Sequence, residues 1–375
     1  MKQITMSEWN PENQLPSSFF SVAQHVYAND EHWIKESEAQ LQTLFSSEHR
    51  FFNGKNKVWL DIVDESTRLA GFYNPDQLVE GKKVAYFGYW ETLNSFNANK
   101  MVFDRFESWA KECGAEVIYG PINFNTFGLY RLRLTNHQNG YFSGEPYNPE
   151  YYPELMGQLG YGVSKRFYSW FGLQKGKVEL AAPMMEPALK NLEAQGIKFS
   201  RLTPEFWLNN LPEIFQNVDE IFKDNFAYSG ISFEEFEKSF GQSFVSRFCP
   251  ESSVLAMGPD GKIAGFFVAF PDYSPLVKQS AVHKISAAEL NFKAHFNLLE
   301  SPLALGKSGG VSPAYRKSGL FSVMSYLMMQ WLKPSYTYGA ATLVREDNPS
   351  ARVGKMFFSQ SGDWSHEYAL FSKDL

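Results

Sequence analysis

The sequence contains few of the residues that build disulfides, metal centres and reactive thiols. Its 375 residues include only two cysteines, Cys113 and Cys249, and seven histidines. Neither cysteine lies in a CxxC or cysteine–histidine motif, and the histidines show no metal-ligand spacing. We therefore predict two free thiols in a reducing compartment and no metal site, with a single disulfide or a nucleophilic cysteine as the alternatives.

Charge of one sign and long apolar runs are also scarce. The net charge is −6 and no long basic run occurs, so the composition gives no support for a nucleic-acid partner. No apolar run reaches ~18 residues, and the polar start MKQITMSEWNPENQ is unlike a signal peptide. We predict a cytoplasmic protein without an integral membrane segment, and leave peripheral membrane contact open.

Aromatic residues, by contrast, are abundant. They make up 17% of the chain, with 34 phenylalanines, and hydrophobic residues make up 44%. Two large cores account for most of this content, and an apolar pocket or groove is the alternative reading. At roughly 100 to 200 residues per domain, the length predicts two or three domains.

The predicted elements follow one order twice: helix, hairpin, strand, helix, strand, helix, strand. In the first half, 57–63 and 69–73 form the hairpin; in the second, 253–257 and 262–270 do. No close sequence repeat accompanies this order. A polar stretch, Gln174–Glu179, separates the halves. We predict an α/β fold of the mixed-sheet α+β type in two tandem domains, residues 1–175 and 176–375.

The segment GVSPAYRKSGLF, residues 310–321, joins a predicted strand to a predicted helix. A helix N-terminus exposes unpaired N–H groups, and glycine lets an anion approach them closely. Arg316 and Lys317 add positive charge beside the amides of Ser318, Gly319 and Leu320. These features predict a site for a diphosphate-like group, and a solvated loop with a glycine helix start is the alternative.

Val311 to Leu320 resembles the acyl-CoA loop of the GCN5-related N-acetyltransferase (GNAT) superfamily, V-x-P-x-x-R-x-x-G-x-G/A between a strand and a helix. The downstream N-x-x-A pattern is matched by Asn348-Pro-Ser-Ala351. The resemblance covers residues 195–375 and implies acetyl-CoA or a longer acyl-CoA as co-substrate, without a metal. The implied cofactor-binding residues are Val311, Arg316, Lys317, Ser318, Gly319, Leu320, Phe321 and Asn348.

Two positions depart from the superfamily pattern. Phe321 replaces a small residue, so its side chain is expected to crowd the phosphate. Lys355 lies near the position of a tyrosine often found in the last helix, so no tyrosine general acid is carried over. Asn348 followed by Pro349 is also a typical helix start, which explains the asparagine without a ligand.

The first half resembles the same fold with a degenerate loop. Glu91–Asn97 has neither the cation nor the glycine, so we predict that this half does not hold CoA. Several of its segments resemble the tandem YghO-like family, a resemblance that spans nearly the whole chain. It implies a small-molecule amine or an amino-lipid, including sphingoid-type lipids, as substrate. The matching segments are VYANDEHW (26–33), LFSSEHRFF (44–52), GPINFN (120–125) and YNPEYY (147–152).

Direct attack of an amine on a thioester requires alignment, a base and a donor for the oxyanion. The resemblance places the thioester where strand 303–311 separates from 342–344, with a backbone N–H of 308–311 as donor. The candidate bases are Glu346 and Asp347, which end a strand, and Glu91 of the first half. Charges complementing a helix N-terminus explain the first two equally well, and a solvated strand end explains Glu91.

Candidate substrate ligands follow a buried strand of the first half. Asn123 and Asn125 lie in a loop where binding residues are common, although turn formation explains them too. Tyr147 is a candidate for lining an acyl or amine pocket, with packing as the alternative.

The resulting interpretation is an acyl-CoA-dependent N-acyltransferase that uses direct attack. A tRNA-dependent aminoacyl transferase of tandem-GNAT type and a non-catalytic ligand- or partner-binding protein are the alternatives.

Overall fold

The structure is a computed structural model that describes residues 7–278, 285–332 and 334–375. The chain divides into unit 1, Met1–Arg166 with Glu367–Leu375, and unit 2, Phe167–His366. The division into 1–175 and 176–375 remains a prediction. The structure groups the C-terminal segment, Glu367–Leu375, with the first half of the chain.

Unit 1 contains a mixed sheet with the strand order β1-β2-β3-β4-β5-β13, where β13 is the last strand, Trp364–Asp374; among the described residues, β4 and β5 are its one parallel pair. The expected hairpin is confirmed: Lys57–Val63 pairs with the next strand through a turn at residues 64–66. The strands are β1 Ser7–Glu8, β2 Lys57–Val63, β3 Thr67–Val79, β4 Lys82–Thr92, β5 Val117–Gly120 and β6 Leu132–Arg133. The helices are α1 Ser17–Val26, α2 Glu38–Leu44, α3 Phe96–Cys113 and α4 Tyr152–Gln158.

Helix α3 supplies one side of the unit 1 core. Ser95 begins the helix by accepting a hydrogen bond from the Ala98 amide, and Gly114, at φ 91°, ends it. Phe103 and Phe106 lie on one face, as their spacing predicts, and are at most 1% exposed. They pack with aromatic residues of the sheet, so apolar burial holds this helix against it.

Unit 2 has the strand order β7-β12-β11-β10-β9-β8, again with one parallel pair, β11 and β12. Gly261, at φ 77°, forms the expected turn between β9 and β10. The strands are β7 Gly162–Leu173, β8 Lys198–Arg201, β9 Val254–Met257, β10 Ile263–Pro271, β11 Leu303–Val311 and β12 Tyr338–Arg345. The helices are α5 Lys177–Ala194, α6 Pro204–Asn209, α7 Leu211–Phe222, α8 Phe233–Phe240, α9 Gln242–Val245, α10 Ser274–Lys278, α11 Phe292–His295, α12 Leu320–Gln330 and α13 Ser350–Phe357.

The closing strand of each unit comes from the other half of the sequence. Residues 167–173 of β7 pair with β12 in unit 2. The last strand, β13 (Trp364–Asp374), pairs with β5 in unit 1, from Phe371 opposite Gly120 to Asp374 opposite Val117. The order of elements in the sequence predicts that each strand closes its own half. The structure differs, because a strand pattern records which face is buried but not which neighbour the strand pairs with.

A second difference concerns residues 286–299, which the sequence predicts as one helix. The structure has only the short helix α11, begun by Asn291, followed by a 3₁₀ turn at Phe296–Leu298. Residues 279–284, which precede this segment, lie outside the described residues. In the part of the chain that the structure describes, no helix is long and apolar enough to cross a membrane.

Truncation of Phe106 tests the unit 1 core. Phe106→Ala removes a fully buried ring and should lower the free energy of unfolding by about 3–5 kcal/mol. Met101→Ala on the same helix is the control, since Met101 is 46% exposed and the change should cost under about 0.5 kcal/mol. Urea denaturation followed by tryptophan fluorescence measures both. Equal midpoints for the two variants would contradict this account of the core.

Candidate functional site

The loop before α12 turns sharply and exposes its cations. A 3₁₀ turn, Pro313–Tyr315, leads into Lys317 and Gly319, which have positive φ angles of 69° and 84°. The Ser318 amide donates to the Tyr315 carbonyl at 3.2 Å. Residues 316–319 are all exposed. The loop is therefore internally braced, yet open to solvent at the start of the helix.

The amides that open helix α12 are largely free. The Leu320 N–H donates to the Ser318 hydroxyl at 3.2 Å. Within the described residues, the N–H groups of Gly319, Phe321 and Ser322 have no protein acceptor. A Cβ placed on Gly319 would meet nothing within 4 Å. This helix start presents three unpaired donors and the positive end of the helix dipole to an incoming anion.

The phenyl ring of Phe321 packs on the core side of α12. Its centroid lies 5.4 Å from that of Phe267 on β10, and it joins a cluster that includes Leu320 and Met324. The amide of Phe321 remains available while the ring is used in packing. In this conformation, the ring does not fill the space outside Gly319.

The two cations of the loop have different surroundings. The Arg316 guanidinium donates to Asp224 Oδ2 at 3.1 Å and to the Ile221 carbonyl at 3.1 Å, at the end of helix α7. Lys317 has no ion-pair partner among the described residues. The sequence placed both charges beside the helix amides, whereas the structure holds Arg316 against α7 and leaves Lys317 unpaired.

Strands β11 and β12 separate after a short parallel register. They pair from Leu303 opposite Tyr338 to Gly306 opposite Ala341 and no further. Immediately after this point β11 bulges at Ser308, with φ 61°, where its register with β10 skips one residue. Beyond the last pair, the backbone groups of β11 and β12 do not hydrogen-bond to each other in the ladder. The sequence resemblance predicts the thioester at this opening.

The other strand of this opening is also irregular. Leu343 of β12 has φ 55°, and its amide donates to the Ser169 hydroxyl at 2.9 Å. The Thr342 hydroxyl donates to the Gly306 carbonyl at 3.2 Å, at the point where the strands part. The Leu343 hydrogen bond ties β12 to β7, on the side away from β11, while the Thr342 hydrogen bond is a last link between β12 and β11 at the point where they part.

Residues 306–310 read GKSGG, which also satisfies the hydrolase spacing GxSxG. A nucleophile elbow places its serine on a strand-to-helix turn. Ser308 instead lies inside β11, and Gly309 beyond it still pairs with Phe267 of β10. The pattern therefore does not form a hydrolase nucleophile here.

The carboxylates that follow β12 are exposed. Glu346 accepts a long hydrogen bond, 3.4 Å, from the Tyr168 hydroxyl. Asp347 accepts from the Nε of Arg345. Asn348 accepts from the amide and hydroxyl of Ser350, at 3.1 and 2.9 Å, in the turn that begins α13. Asn348 thus braces the turn before α13, but the N-cap position is Pro349, one residue later than the sequence predicts, and no side chain caps this helix.

Glu91 occupies a very different environment in unit 1. It lies near the end of β4, and its side chain is only 16% exposed. The Tyr152 hydroxyl donates to its Oε2 at 2.7 Å, and Arg68 Nη2 lies 4.0 Å from its Oε1. Burial raises the pKa of Glu91 to about 7, with a further rise from Glu36, against the opposing effects of Arg68 and the hydroxyls.

The other candidate residues of unit 1 make hydrogen bonds within the protein. Asn123 accepts from the Tyr89 amide at 2.8 Å, and Asn125 accepts from the Phe127 amide at 2.9 Å. The Tyr147 hydroxyl donates to Asp30 at 2.5 Å, and its ring stacks on Tyr141 with centroids 4.3 Å apart. These contacts fit the turn-forming and packing alternatives.

Unit 1 also repeats the strand separation of unit 2, but fills it. Strands β4 and β5 are parallel only from Val84 to Tyr86, and Tyr89 then takes φ 47°. The Tyr89 amide donates to the Asn123 side chain at 2.8 Å, so the protein itself supplies an acceptor at this bend. Since the following helix start is capped by Ser95 and contains no cation, unit 1 lacks the open anion site of unit 2.

The predicted residues thus fall into two sets. Val311, the 316–321 loop, Glu346, Asp347 and Asn348 belong to unit 2, and Glu91, Asn123, Asn125 and Tyr147 belong to unit 1. Sequence reasoning missed Asp224 and Arg68, which no local motif marks, and it named Tyr152 only as part of the segment YNPEYY. Both cysteines are free, and the described residues include no group of three His, Cys, Asp or Glu side chains arranged for a metal.

Comparison with known proteins gives structural likeness without sequence likeness. No protein-family model matches the chain, and no curated protein matches it. A GCN5-related glucosamine N-acetyltransferase region of a fungal multi-domain GH3 β-N-acetylglucosaminidase superposes with a TM-score of 0.54 at 12% identity. That match covers 98% of this chain and 38% of the fungal one, so this chain spans under half of that relative.

Two further solved structures are similar. A conserved protein of unknown function from Enterococcus faecalis V583, described as a probable N-acyltransferase, has a TM-score of 0.50 at 9% identity, covering 99% of this chain and 72% of that one. A tandem GNAT protein from the clavulanic acid biosynthesis pathway has a TM-score of 0.49 at 10% identity, covering 95% and 92%. The fungal and Enterococcus likenesses establish the fold alone: the predicted mixed α/β fold class is confirmed, and the chain has a GNAT-like architecture throughout.

Proposed function

We propose that the chain is an acyl-CoA-dependent N-acyltransferase that moves an acetyl or longer acyl group to a primary amine of a small molecule or amino-lipid. The observation that carries this proposal is the open helix start at Gly319, with three unpaired amides. A diphosphate accepts hydrogen bonds from such amides, and Lys317 adds charge beside them. The amino-lipid and the cytoplasmic location rest on sequence resemblance and composition.

The separation of β11 and β12 supports the same reaction. Beyond Gly306 the β11 edge no longer pairs with β12, which suits the amide-bearing arm of CoA, and a backbone N–H of residues 308–311 is our candidate for the oxyanion donor. The amine nitrogen attacks the thioester carbon, a C–N bond forms, the C–S bond breaks, and the thiolate leaves. The proton lost by the amine passes to a base, for which Glu346, Asp347 and Glu91 are the candidates, and no metal is required.

The activity is tested by incubating the full chain with acetyl-, octanoyl- and palmitoyl-CoA and a panel of primary amines. We expect free thiol to appear together with an amide product of matching mass in at least one pair. Thermal stabilisation by an acyl-CoA without turnover in any pair would favour the non-catalytic binding protein. No stabilisation by any acyl-CoA would contradict the proposal at its first step.

Charge reversal at Lys317 tests the diphosphate site. Lys317→Glu should weaken the binding of CoA about tenfold or more, since a charge-assisted contact becomes a repulsion. Lys262→Glu, an exposed turn lysine of the same unit, should change the affinity less than about twofold. Isothermal titration with CoA measures both variants. Similar losses in the two would mean that net charge alone, and not the loop, governs binding.

Removal of the Asp224 charge tests whether Arg316 is shared between α7 and the diphosphate. Asp224→Asn frees the guanidinium from its 3.1 Å contact and should tighten CoA binding by up to about fivefold, the worth of an exposed ion pair. Glu220→Gln is the matched control: it removes the same charge from the end of α7, where only the Glu220 backbone contacts Arg316. An equal gain in CoA affinity for Glu220→Gln would show that the net charge near the loop, and not the Asp224–Arg316 contact, governs binding.

A further inference from the structure

The outer face of helix α5 carries apolar side chains that the described part of the chain leaves uncovered. Leu180 is 68% exposed and Met184 is 59% exposed, and Pro183 and Pro187 are exposed as well. These four positions have the spacing i, i+3, i+4 and i+7, so they form one line along the helix. We call these four residues the α5 stripe.

The α5 stripe is separate from the face with which α5 packs in unit 2. Ala181 and Met185 are at most 9% exposed and pack in one cluster with Tyr326 and Met329 of α12. The helix is therefore anchored without the stripe. Proline inside a helix removes a backbone hydrogen bond, and large apolar side chains gain no stability from contact with water. The residues of the stripe therefore suit a covered surface better than a solvated one.

A groove beside the stripe extends the apolar surface. Its volume is about 300 Å³, and α5 lines it with Leu180 and Met184 while α13 lines it with Met356, which is 36% exposed. Lys177 also lines the groove, but its ammonium already donates to both carboxylate oxygens of Asp363, at 2.7 and 2.9 Å. The groove therefore offers apolar surface, and the one charged side chain in its lining is already paired.

Two opposite charges lie next to the stripe. Glu179 and Lys190 are both exposed, and neither has an ion-pair partner among the described residues. They are eleven residues apart, close to three turns, so both lie on the same side of α5. The two charges of one helix cannot meet, because eleven residues rise about 16 Å. A second copy of α5 that runs in the opposite direction brings each charge to its opposite.

We propose that the chain forms a two-fold symmetric homodimer in which the α5 stripes of two copies pack antiparallel. A two-fold interface brings one residue to a second on the other copy, and that second residue to the first. With the axis at the centre of the stripe, Leu180 of each copy lies beside Pro187 of the other. Glu179 of each copy then lies about 3 Å along the helix axis from Lys190 of the other, within reach of the lysine side chain. The interface has an apolar centre and two identical ion pairs.

An anionic lipid surface fits this face less well than a second copy does. Glu179, Glu186 and Glu193 follow one another at seven-residue spacing along the exposed side of α5. Anionic lipid headgroups attract lysine and arginine and repel such a row of acids. The dimer uses no residue of the proposed acyl-CoA site, so it stands or falls independently of the proposed reaction.

Sedimentation equilibrium of the full chain under reducing conditions tests the dimer. Two 18-residue helices form a small interface, so we expect a dissociation constant of about 10–100 µM. Met184→Lys places two like charges beside the two-fold axis and should weaken the dimer at least about tenfold. Met101→Lys, the same change at an exposed position of α3, should alter the constant less than about twofold.

An exchange of charges identifies the partner as a second copy. Glu179→Lys or Lys190→Glu alone turns two attractions into two repulsions and should weaken the dimer about threefold or more. The double variant, Glu179→Lys with Lys190→Glu, re-forms both pairs and should return to within about twofold of the wild type.

Three results would overturn the homodimer. The first is a wild type that stays monomeric up to about 500 µM. The second is a double variant that dimerises no better than the single variants. The third is a monomer that floats with neutral phosphatidylcholine vesicles and loses this binding in Met184→Lys, which would assign the α5 stripe to lipid.

Discussion

The separation of two parallel strands after four paired residues is the constraint on which unit 2 depends. Backbone N–H and C=O groups need partners, and β11 beyond Gly306 no longer finds them on β12. Water satisfies such an edge, and so does a ligand that carries its own amides. Beyond the last pair β11 bulges at Ser308, and the Leu343 amide of β12 donates to Ser169 of β7. The helix start at Gly319, with its free amides, adds an anion site to the same unit.

Unit 1 shows what the same architecture becomes when the opening is filled. Its parallel strands also part after three pairs, but Asn123 takes the bulge amide and Ser95 caps the following helix. Near the end of β4, unit 1 buries Arg68 beside Glu36 and Glu91, and such charges are costly to bury unless they are paired. Unit 2 therefore presents open backbone donors, whereas unit 1 has charged side chains around Glu91.

The sequence predicted those parts of the site that depend on residues adjacent in the chain. Glycine, proline and cations at fixed spacing identified the 311–321 loop, because turn chemistry and helix starts depend on adjacent residues. The hairpins and helix α3 followed from periodicity. Contacts between distant positions carried no such signal: Arg316 meets Asp224 across 92 residues, and Tyr152 meets Glu91 across 61. These contacts depend on tertiary packing, and they decide whether a charge is available or already paired.

The exchange of closing strands has a consequence for how the polypeptide becomes a protein. Unit 1 needs Glu367–Leu375 beside β5, so its sheet lacks an edge strand until the ribosome has made the rest of unit 2. During synthesis, β5 therefore has no partner on this side until β13 has been made. Such an unpaired strand edge can pair wrongly with another strand. Cutting the gene between the halves would give two fragments, each missing a strand that the other encodes.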